Sequence, residues 1–206
     1  MDNRLFLASF AAVVVFAELA LIQAQRDCTA PPPPASPKIC CPWMDGSTTY
    51  NDTIYVECWN RLSHYPLVPI PGGGLAGGPA GCASDCLFNY LELFDRSDSS
   101  GTKLIDFYAL NEHVREISEP GRYPLMYLAL RYCVAEANQR ATIFSEIQQQ
   151  SPPVVPGLDN CNPISGFTMS CLHSYAIRFC PDWTPNEEEG CDELLDFYNQ
   201  CPLNPY

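Results

Sequence analysis

Apolar residues recur every three to four positions along most of this chain, and that spacing predicts amphipathic helices. Because proline interrupts a helix interior, the helices are expected mostly between prolines. The proline-free windows are 43–65, 80–119, 125–151, 164–180 and 186–201. A turn cluster at Ser97–Gly101 splits the second window, so the pattern predicts about six helices.

The predicted helices each carry an apolar stripe that should face the core. The last helix has the clearest predicted start, because Thr184-Pro-Asn-Glu187 matches a capping box with proline at the first helical position. The stripes are Cys82, Cys86, Leu87, Tyr90, Leu91 and Phe94; Leu104, Phe107, Tyr108, Val114 and Ile117; Leu125, Leu128, Ala129, Tyr132 and Cys133; and Cys191, Leu194, Leu195, Tyr198 and Cys201.

Strand signals are weak, since no segment alternates apolar and polar residues for long. Two segments rich in proline or in proline and glycine, Ala30–Pro34 and Pro66–Gly81, are predicted as an extended stretch and a loop. The fold class predicted from the sequence is therefore all-α, a compact bundle of about six or more helices.

The first residues have the features of a secretory signal peptide. A short polar start at Met1–Arg4 precedes an apolar run from Leu5 to Phe16, and Glu18 interrupts the segment too early for a membrane span. We expect residues 1–24 to be removed near Ala24 or Gln25. Residues 25–206 are then of a length that suits a single secreted domain without stable membrane insertion.

Composition narrows the classes of partner. The chain has 24 Asp and Glu residues against 11 Lys and Arg residues, a formal net charge of -13, and its hydrophobic content of 47% is typical of a globular protein. A chain this acidic lacks the basic patch that nucleic acid or an anionic membrane surface requires.

Twelve cysteines in a secreted chain predict six disulfides and no free thiol. Cys82-x3-Cys86 is accordingly interpreted as bridge residues and not as a zinc site, and no metal is expected. The helical turn of about 100° per residue puts Cys171 and Cys180 on opposite faces, so they require separate partners. Adjacent Cys40 and Cys41 also require separate partners. The predicted disulfide cysteines are 28, 40, 41, 58, 82, 86, 133, 161, 171, 180, 191 and 201, and Asn51 begins a glycosylation sequon.

The order Cys58, Cys82-x3-Cys86, Cys133, Cys171-x8-Cys180 resembles the six-cysteine signature of insect odorant-binding proteins. Cys180-Pro181, together with the additional cysteines, is similar to the twelve-cysteine Plus-C subgroup known from mosquitoes. The resemblance implies helices around an apolar cavity, with an amino-terminal extension at 25–49 and a carboxy-terminal extension at 181–206.

The resemblance also implies three bridges, Cys58–Cys86, Cys82–Cys171 and Cys133–Cys180. The other six cysteines would then form three bridges that tie the extensions to the core, in one of 15 connectivities. The tail Pro202–Tyr206 is a candidate cover for the cavity mouth.

No enzyme signature stands out. The chain lacks G-x-S-x-G and H-E-x-x-H motifs and a P-loop lysine, so neither an enzyme nor a cofactor is predicted. Glu112-His113 is a candidate acid–base pair of a secreted hydrolase, and the competing interpretation is a solvated helix face.

A set of large apolar side chains is the candidate ligand site, with ordinary core packing as the alternative interpretation. Its members are Phe94, Phe107, Tyr108, Met126, Tyr132, Phe167, Met169, Leu172, Tyr175 and Phe179. Through the resemblance, the leading hypothesis is a secreted carrier of small hydrophobic odorant or lipid-like ligands in sensillar lymph, with a homodimer and an olfactory receptor contact as candidate assemblies. The competing hypothesis is a disulfide-stapled interaction protein with a filled core.

Overall fold

The fold is a helical bundle braced by disulfides, which confirms the predicted class. This computed structural model describes residues 28, 30–44, 52–62, 67–69, 75–96, 101–150, 160–186 and 189–203. The predicted signal peptide, Asn51 of the sequon and His64 lie outside these residues.

Eight helices and one short hairpin make up the described part of the chain. The helices are α1 Pro37–Cys40, α2 Asp52–Leu62, α3 Gly78–Tyr90, α4 Phe107–Ile117, α5 Tyr123–Gln139, α6 Ala141–Gln150, α7 Pro163–Arg178 and α8 Cys191–Gln200, with a 3-10 turn at Pro42–Met44. Strands β1 Leu67–Pro69 and β2 Leu75–Gly77 pair antiparallel, with Val68 opposite Ala76.

The helices from α2 onward follow the proline windows with small, explicable shifts, whereas the short α1 lies before the first window and was not predicted. Helices α3, α5 and α7 begin slightly before their windows, because Pro79, Pro124 and Pro163 lie in the first helical turn, where a missing N–H breaks no helical hydrogen bond. The window 125–151 holds two helices and not one, since the chain leaves helical geometry at Arg140. The hairpin occupies part of the segment predicted as a loop, Pro66–Gly81.

The predicted start of the last helix was wrong. Helix α8 begins at Cys191, and its N-cap is Gly190 at φ 71°, a left-handed conformation that glycine adopts at little cost. The Thr184 N–H donates instead to the Cys40 carbonyl, at 2.8 Å, so this segment is held against α1 and does not enter α8. Glu187 of the predicted capping box lies outside the described residues.

Helix α7 is the centre of the molecule. It contacts α3, α5, α6 and α8, and most of its residues from Pro163 to Ile177 are buried. A helix with so much of its circumference buried needs apolar or small residues on nearly every side. Gly166 meets that need where α3 packs closely against it, and Ser165 and Thr168 are further small residues buried on this helix.

Two groups of buried side chains lie on different parts of α7. The main cluster includes Phe88, Leu130, Phe144, Phe167 and Leu172 and is built by the middle of the chain. The terminal cluster packs α8 and the N-terminal segment around Ile177; its buried members are Cys40, Ile177, Cys191, Leu194, Phe197, Tyr198 and Cys201. The predicted stripe of α8 is thereby confirmed, with Leu195 half-buried against the same cluster.

Other predicted stripes were partly wrong. Helix α5 buries Ala129, Leu130, Cys133, Val134 and Ala137, whereas Leu128 and Tyr132 are exposed. Helix α4 buries Leu110 and Val114 but exposes Tyr108, and α3 exposes Tyr90. The stripe of α5 is rotated because α4 packs on one of its sides and α7 on another.

All twelve cysteines are paired, and the pattern corrects the expected connectivity. The bridges are Cys28–Cys201, Cys40–Cys191, Cys41–Cys180, Cys58–Cys86, Cys82–Cys161 and Cys133–Cys171. Cys58–Cys86 is as predicted, whereas the predicted Cys82–Cys171 and Cys133–Cys180 bridges were wrong. The prediction that the other six cysteines pair only with one another was also wrong. Cys41 and Cys161 instead pair with Cys180 and Cys82, which belong to the six-cysteine signature.

The crossing of α3 and α7 explains these partners. The two helices approach closely at Gly81 and Gly166, and Cys82, next to Gly81, is bridged to Cys161 just before α7. Cys171 is five residues beyond Gly166, about 7.5 Å along the helix, and faces Cys133 of α5. Cys180 follows the end of α7 and meets Cys41 of the N-terminal segment. The prediction that Cys171 and Cys180 need separate partners is confirmed, as it is for Cys40 and Cys41.

Proteolysis combined with cleavage at methionine can distinguish the two connectivities. Trypsin releases Cys133 in a peptide spanning 132–140, and cyanogen bromide at Met169 separates Cys161 from Cys171. We expect mass spectrometry under non-reducing conditions to find 132–140 joined to 170–178. A link from 132–140 to a peptide containing Cys180 would contradict the structure.

The Gly81–Gly166 contact should tolerate substitution on one side only. A Cβ at Gly166 would lie 2.5 Å from the Gly81 Cα, whereas a Cβ at Gly81 would lie 3.8 Å from the Gly166 Cα. We expect Gly166→Ala to lower the free energy of unfolding by about 2–3 kcal/mol, because two backbones must separate. Gly81→Ala is the matched control and should cost little in a urea titration with the disulfides intact. Equal losses for both variants would show that the helices do not cross here.

Candidate apolar binding site

Most of the predicted ligand residues converge on the main cluster. Phe167 and Leu172 of α7 are buried within it. Five more are partly buried and pack against it, namely Phe94, Phe107, Met126, Met169 and Tyr175. They come from the loop after α3 and from α4, α5 and α7, so four chain segments bring seven of the ten predicted residues together.

The loop after α3 is fixed by backbone hydrogen bonds and by a helix cap. The Asp95 N–H donates to the Leu104 carbonyl at 2.8 Å, and the Asp106 N–H donates to the Leu93 carbonyl at 2.9 Å. The Asp106 carboxylate then accepts from the Tyr108 N–H at 2.8 Å and caps α4. These bonds hold Phe94 and Phe107 at the edge of the main cluster.

The other three predicted residues are on the surface. Tyr108 is 81% exposed, Tyr132 is 37% exposed and Phe179 is 49% exposed. Tyr132 and Phe179 still meet a residue that packs against the main cluster, since their ring centroids lie 5.9 and 4.4 Å from that of Tyr175. Leu128, 50% exposed and one helical turn before Tyr132, extends this surface, which we call the aromatic patch (Leu128, Tyr132, Tyr175 and Phe179).

Tyr175 therefore connects the protein interior to its surface. It packs against the main cluster on one side and against Tyr132 and Phe179 on the other. The Cys133–Cys171 bridge joins the two helices that carry these rings, one residue from Tyr132 and four residues from Tyr175. A ligand that contacted the aromatic patch would have continuous apolar surface leading to the main cluster.

A second aromatic group joins α4 to α5 and was missed by the sequence prediction. Tyr127 lies 6.1 Å from Phe107 and 6.1 Å from Tyr123 between ring centroids. The Tyr123 hydroxyl donates to the Asn111 side chain at 2.9 Å. The four-residue spacing of Tyr123 and Tyr127 on one helical face was the signal that could have identified them.

A buried ion pair borders the main cluster and also went unpredicted. Asp85 of α3, 7% exposed, lies 3.1 Å from the Lys103 ammonium, which stands 4.7 Å from the centroid of the Phe94 ring. Burial raises the pKa of the Asp85 carboxyl, and the charge and hydrogen bond of Lys103 oppose that rise. Eighteen residues separate the two partners, so no local pattern indicates the pair.

Two of the three histidines are described, and they have different surroundings. His173 of α7 packs edge-on against Tyr198 of α8, with 6.0 Å between ring centroids, and burial lowers the pKa of His173. Burial raises the pKa of Tyr198 to about 12. Burial also lowers the pKa of His113, although the charge of Glu116 opposes this.

The candidate acid–base pair Glu112-His113 is not joined by a hydrogen bond. The Glu112 carboxylate pairs with Arg115 on the exposed face of α4. The His113 Nε2 atom is buried and has no hydrogen-bond partner in the part of the chain that the structure describes. Across all the residues that the structure describes, there is no cluster of three or more His, Cys, Asp or Glu side chains placed to hold a metal ion.

The tail and the helices complete the surroundings of the site. Leu203 packs against the main cluster, just beyond the Cys28–Cys201 bridge.

Among the described residues, no helix is both long and apolar enough to cross a membrane. Six disulfides are typical of proteins that fold in an oxidising compartment.

Comparison with known proteins adds no relative. No model of a known protein family matches the chain, and no curated protein matches it either. The similarity to odorant-binding proteins is therefore carried by the order and spacing of the cysteines and by one of the three bridges that it implies.

The burial of His173 should make stability depend on pH. A histidine whose pKa is lowered by folding stabilises the protein fully above its unfolded pKa of about 6.5, and that contribution is lost as the pH falls through the folded pKa. The lowered pKa of His113 likewise makes the protein less stable as the pH falls. The raised pKa of Asp85 has the opposite effect and makes the protein less stable as the pH rises.

A comparison with His173→Phe isolates the contribution of His173, because phenylalanine keeps the aromatic contact but does not titrate. Between pH 7 and pH 5, the free energy of unfolding should fall more in the unsubstituted protein than in this variant. Urea titrations at each pH measure the difference. Parallel curves would show that His173 titrates alike in the folded and unfolded states.

Proposed function

We propose that this protein is a secreted carrier that binds small hydrophobic molecules without chemical change, related to the Plus-C group of insect odorant-binding proteins. The observation that carries the proposal is the convergence of seven predicted ligand residues on the main cluster. Five of the seven are only partly buried, so their apolar surface is available to a ligand. Met126 and Met169 add side chains that adapt to differently shaped ligands.

The disulfides support a carrier function because they stabilise the fold, so that less of its stability has to come from a fully packed core. In the loop-entropy model each bridge stabilises a fold by a few kcal/mol, more for long loops. Three bridges here join cysteines 139, 151 and 173 residues apart. A fold stabilised in this way tolerates incomplete packing between helices, which a ligand can then fill.

The resemblance supplies the biological setting of the proposal. A carrier in sensillar lymph would take up odorant or lipid-like molecules and deliver them to an olfactory receptor. The acidic surface would keep an abundant extracellular protein soluble. Glycosylation at Asn51 and a homodimer remain proposals that rest on the sequence and on the resemblance.

A fluorescent apolar probe tests the carrier function. We expect N-phenyl-1-naphthylamine to bind saturably, with a dissociation constant of about 1 μM, and to be displaced by small volatile apolar molecules. Phe107→Ala, at the edge of the main cluster, should weaken probe binding roughly tenfold. Circular dichroism would confirm that the variant remains helical.

Tyr90→Ala is the matched control, because Tyr90 is 66% exposed and lies outside the main cluster. Its probe affinity should equal that of the unsubstituted protein. Absence of saturable, displaceable binding to any apolar ligand would overturn the carrier proposal. The protein would then be better described as an interaction protein with a filled core.

A further inference from the structure

Arg178 borders the aromatic patch and has an unsatisfied hydrogen-bond donor. Its guanidinium carbon lies 5.2 Å from the centroid of the Phe179 ring. Its Nε atom is buried and has no hydrogen-bond acceptor among the residues that the structure describes. A buried N–H without a partner costs free energy, and an acceptor supplied by a ligand would recover it.

The position of Arg178 in its helix does not by itself account for this donor. Arg178 is the last residue of α7, where a cation favourably opposes the partial negative charge of the helix C-terminus. That interaction accounts for a positive charge at this position. It leaves the buried Nε donor without an acceptor, so Arg178 can still donate a hydrogen bond to a ligand.

The arginines beside the patch also lack acidic partners. Among the described residues, other basic side chains lie within 4 Å of a carboxylate, including Arg96, Lys103, Arg115, Arg122 and Arg140. Arg178 and the exposed Arg131, next to Tyr132, have no such partner within the described ranges, although acidic residues outnumber basic ones 24 to 11. The aromatic patch is thus bordered by two positive charges on an otherwise acidic protein.

We propose that Arg178 anchors the head group of an amphipathic carboxylate at the border of the aromatic patch. The planar guanidinium matches a carboxylate, and a turn of the Arg178 side chain toward the ligand would bring the buried Nε to the acceptor that it lacks. The apolar body of the ligand packs on Tyr132 and Phe179 and continues past Tyr175 toward the main cluster. A ligand with a single negative charge suits the site, since the net charge of -13 repels polyanions.

This inference rests on the proposed carrier function and specifies its ligand class. Decanoate and decan-1-ol make a suitable pair of ligands, because they share a chain length and differ in the charge of the head group. At pH 8 decanoate is ionised. We expect the full chain to bind decanoate roughly tenfold more tightly than decan-1-ol in displacement of the fluorescent probe.

Arg178→Gln should abolish this preference, because it removes the charged partner of decanoate and so weakens decanoate binding much more than binding of the uncharged decan-1-ol. Arg115→Gln is the matched control, because Arg115 is an exposed arginine of α4 that pairs with Glu112. It should retain the roughly tenfold preference. Equal affinities for the two ligands in the unsubstituted protein, or a preference that survives Arg178→Gln, would overturn the inference while leaving the carrier function intact. If the fluorescent probe binds but neither ligand displaces it, the inference fails and the carrier function stands, whereas failure of the probe and of every apolar ligand to bind would refute the carrier function itself.

A second measurement needs no substitution at Arg178. In protein labelled with ¹⁵N-arginine, decanoate should shift the Arg178 Nε–H resonance strongly and saturably, whereas decan-1-ol, whose hydroxyl is a weaker acceptor, should shift it much less. The Arg115 resonance should remain unchanged with either ligand. An Arg178 resonance that is insensitive to saturating decanoate would overturn the assignment of Arg178 as the anchor.

Discussion

The close approach of α3 to α7 is the contact on which the rest of the structure depends. Glycines on both helices let the backbones meet at Gly81 and Gly166, and the Cys82–Cys161 bridge locks the crossing beside it. With α3 fixed in this position, other sides of α7 are free to pack against α5, α6 and α8. One helix therefore contributes to both groups of buried side chains, Phe167 and Leu172 to the main cluster and Ile177 to the terminal cluster.

The terminal segments explain the need for six of the twelve cysteines. The N-terminal segment contains only short helical turns, α1 and the 3-10 turn Pro42–Met44, which cannot be stable alone. The bridges from Cys28, Cys40 and Cys41 fasten this segment to α8 and to the end of α7. The bridge at Cys201 also holds the beginning of the tail where Leu203 reaches the main cluster.

The sequence predicted which segments are helical much better than which faces are buried. Prolines and apolar spacing are local signals, and they located most of the helical segments to within a few residues, although they missed α1 and the break between α5 and α6. The buried face of α5 depends on having neighbours on two sides, so Leu128 and Tyr132 were wrongly assigned to the core. The capping box at Thr184 failed for a similar reason, since a tertiary hydrogen bond to Cys40 took precedence over local helix propensity.

The candidate site shows the same limit. Its large apolar residues could be listed from the sequence, and seven of them do meet at the main cluster. Their division between interior and surface could not be predicted, nor could the pairing of Asp85 with Lys103 across 18 residues. The cysteine partners were likewise beyond prediction from spacing, because they depend on where α7 is crossed by its neighbours.

The central claim is that the main cluster accommodates a small apolar guest. Diffraction from a crystal of the ligand-free protein under xenon pressure tests this most directly, because xenon enters apolar cavities and is readily located. We expect a xenon atom within the main cluster, bordered by Met126, Leu172 or Tyr175. A well-ordered interior that admits no xenon would contradict the claim and indicate a filled core.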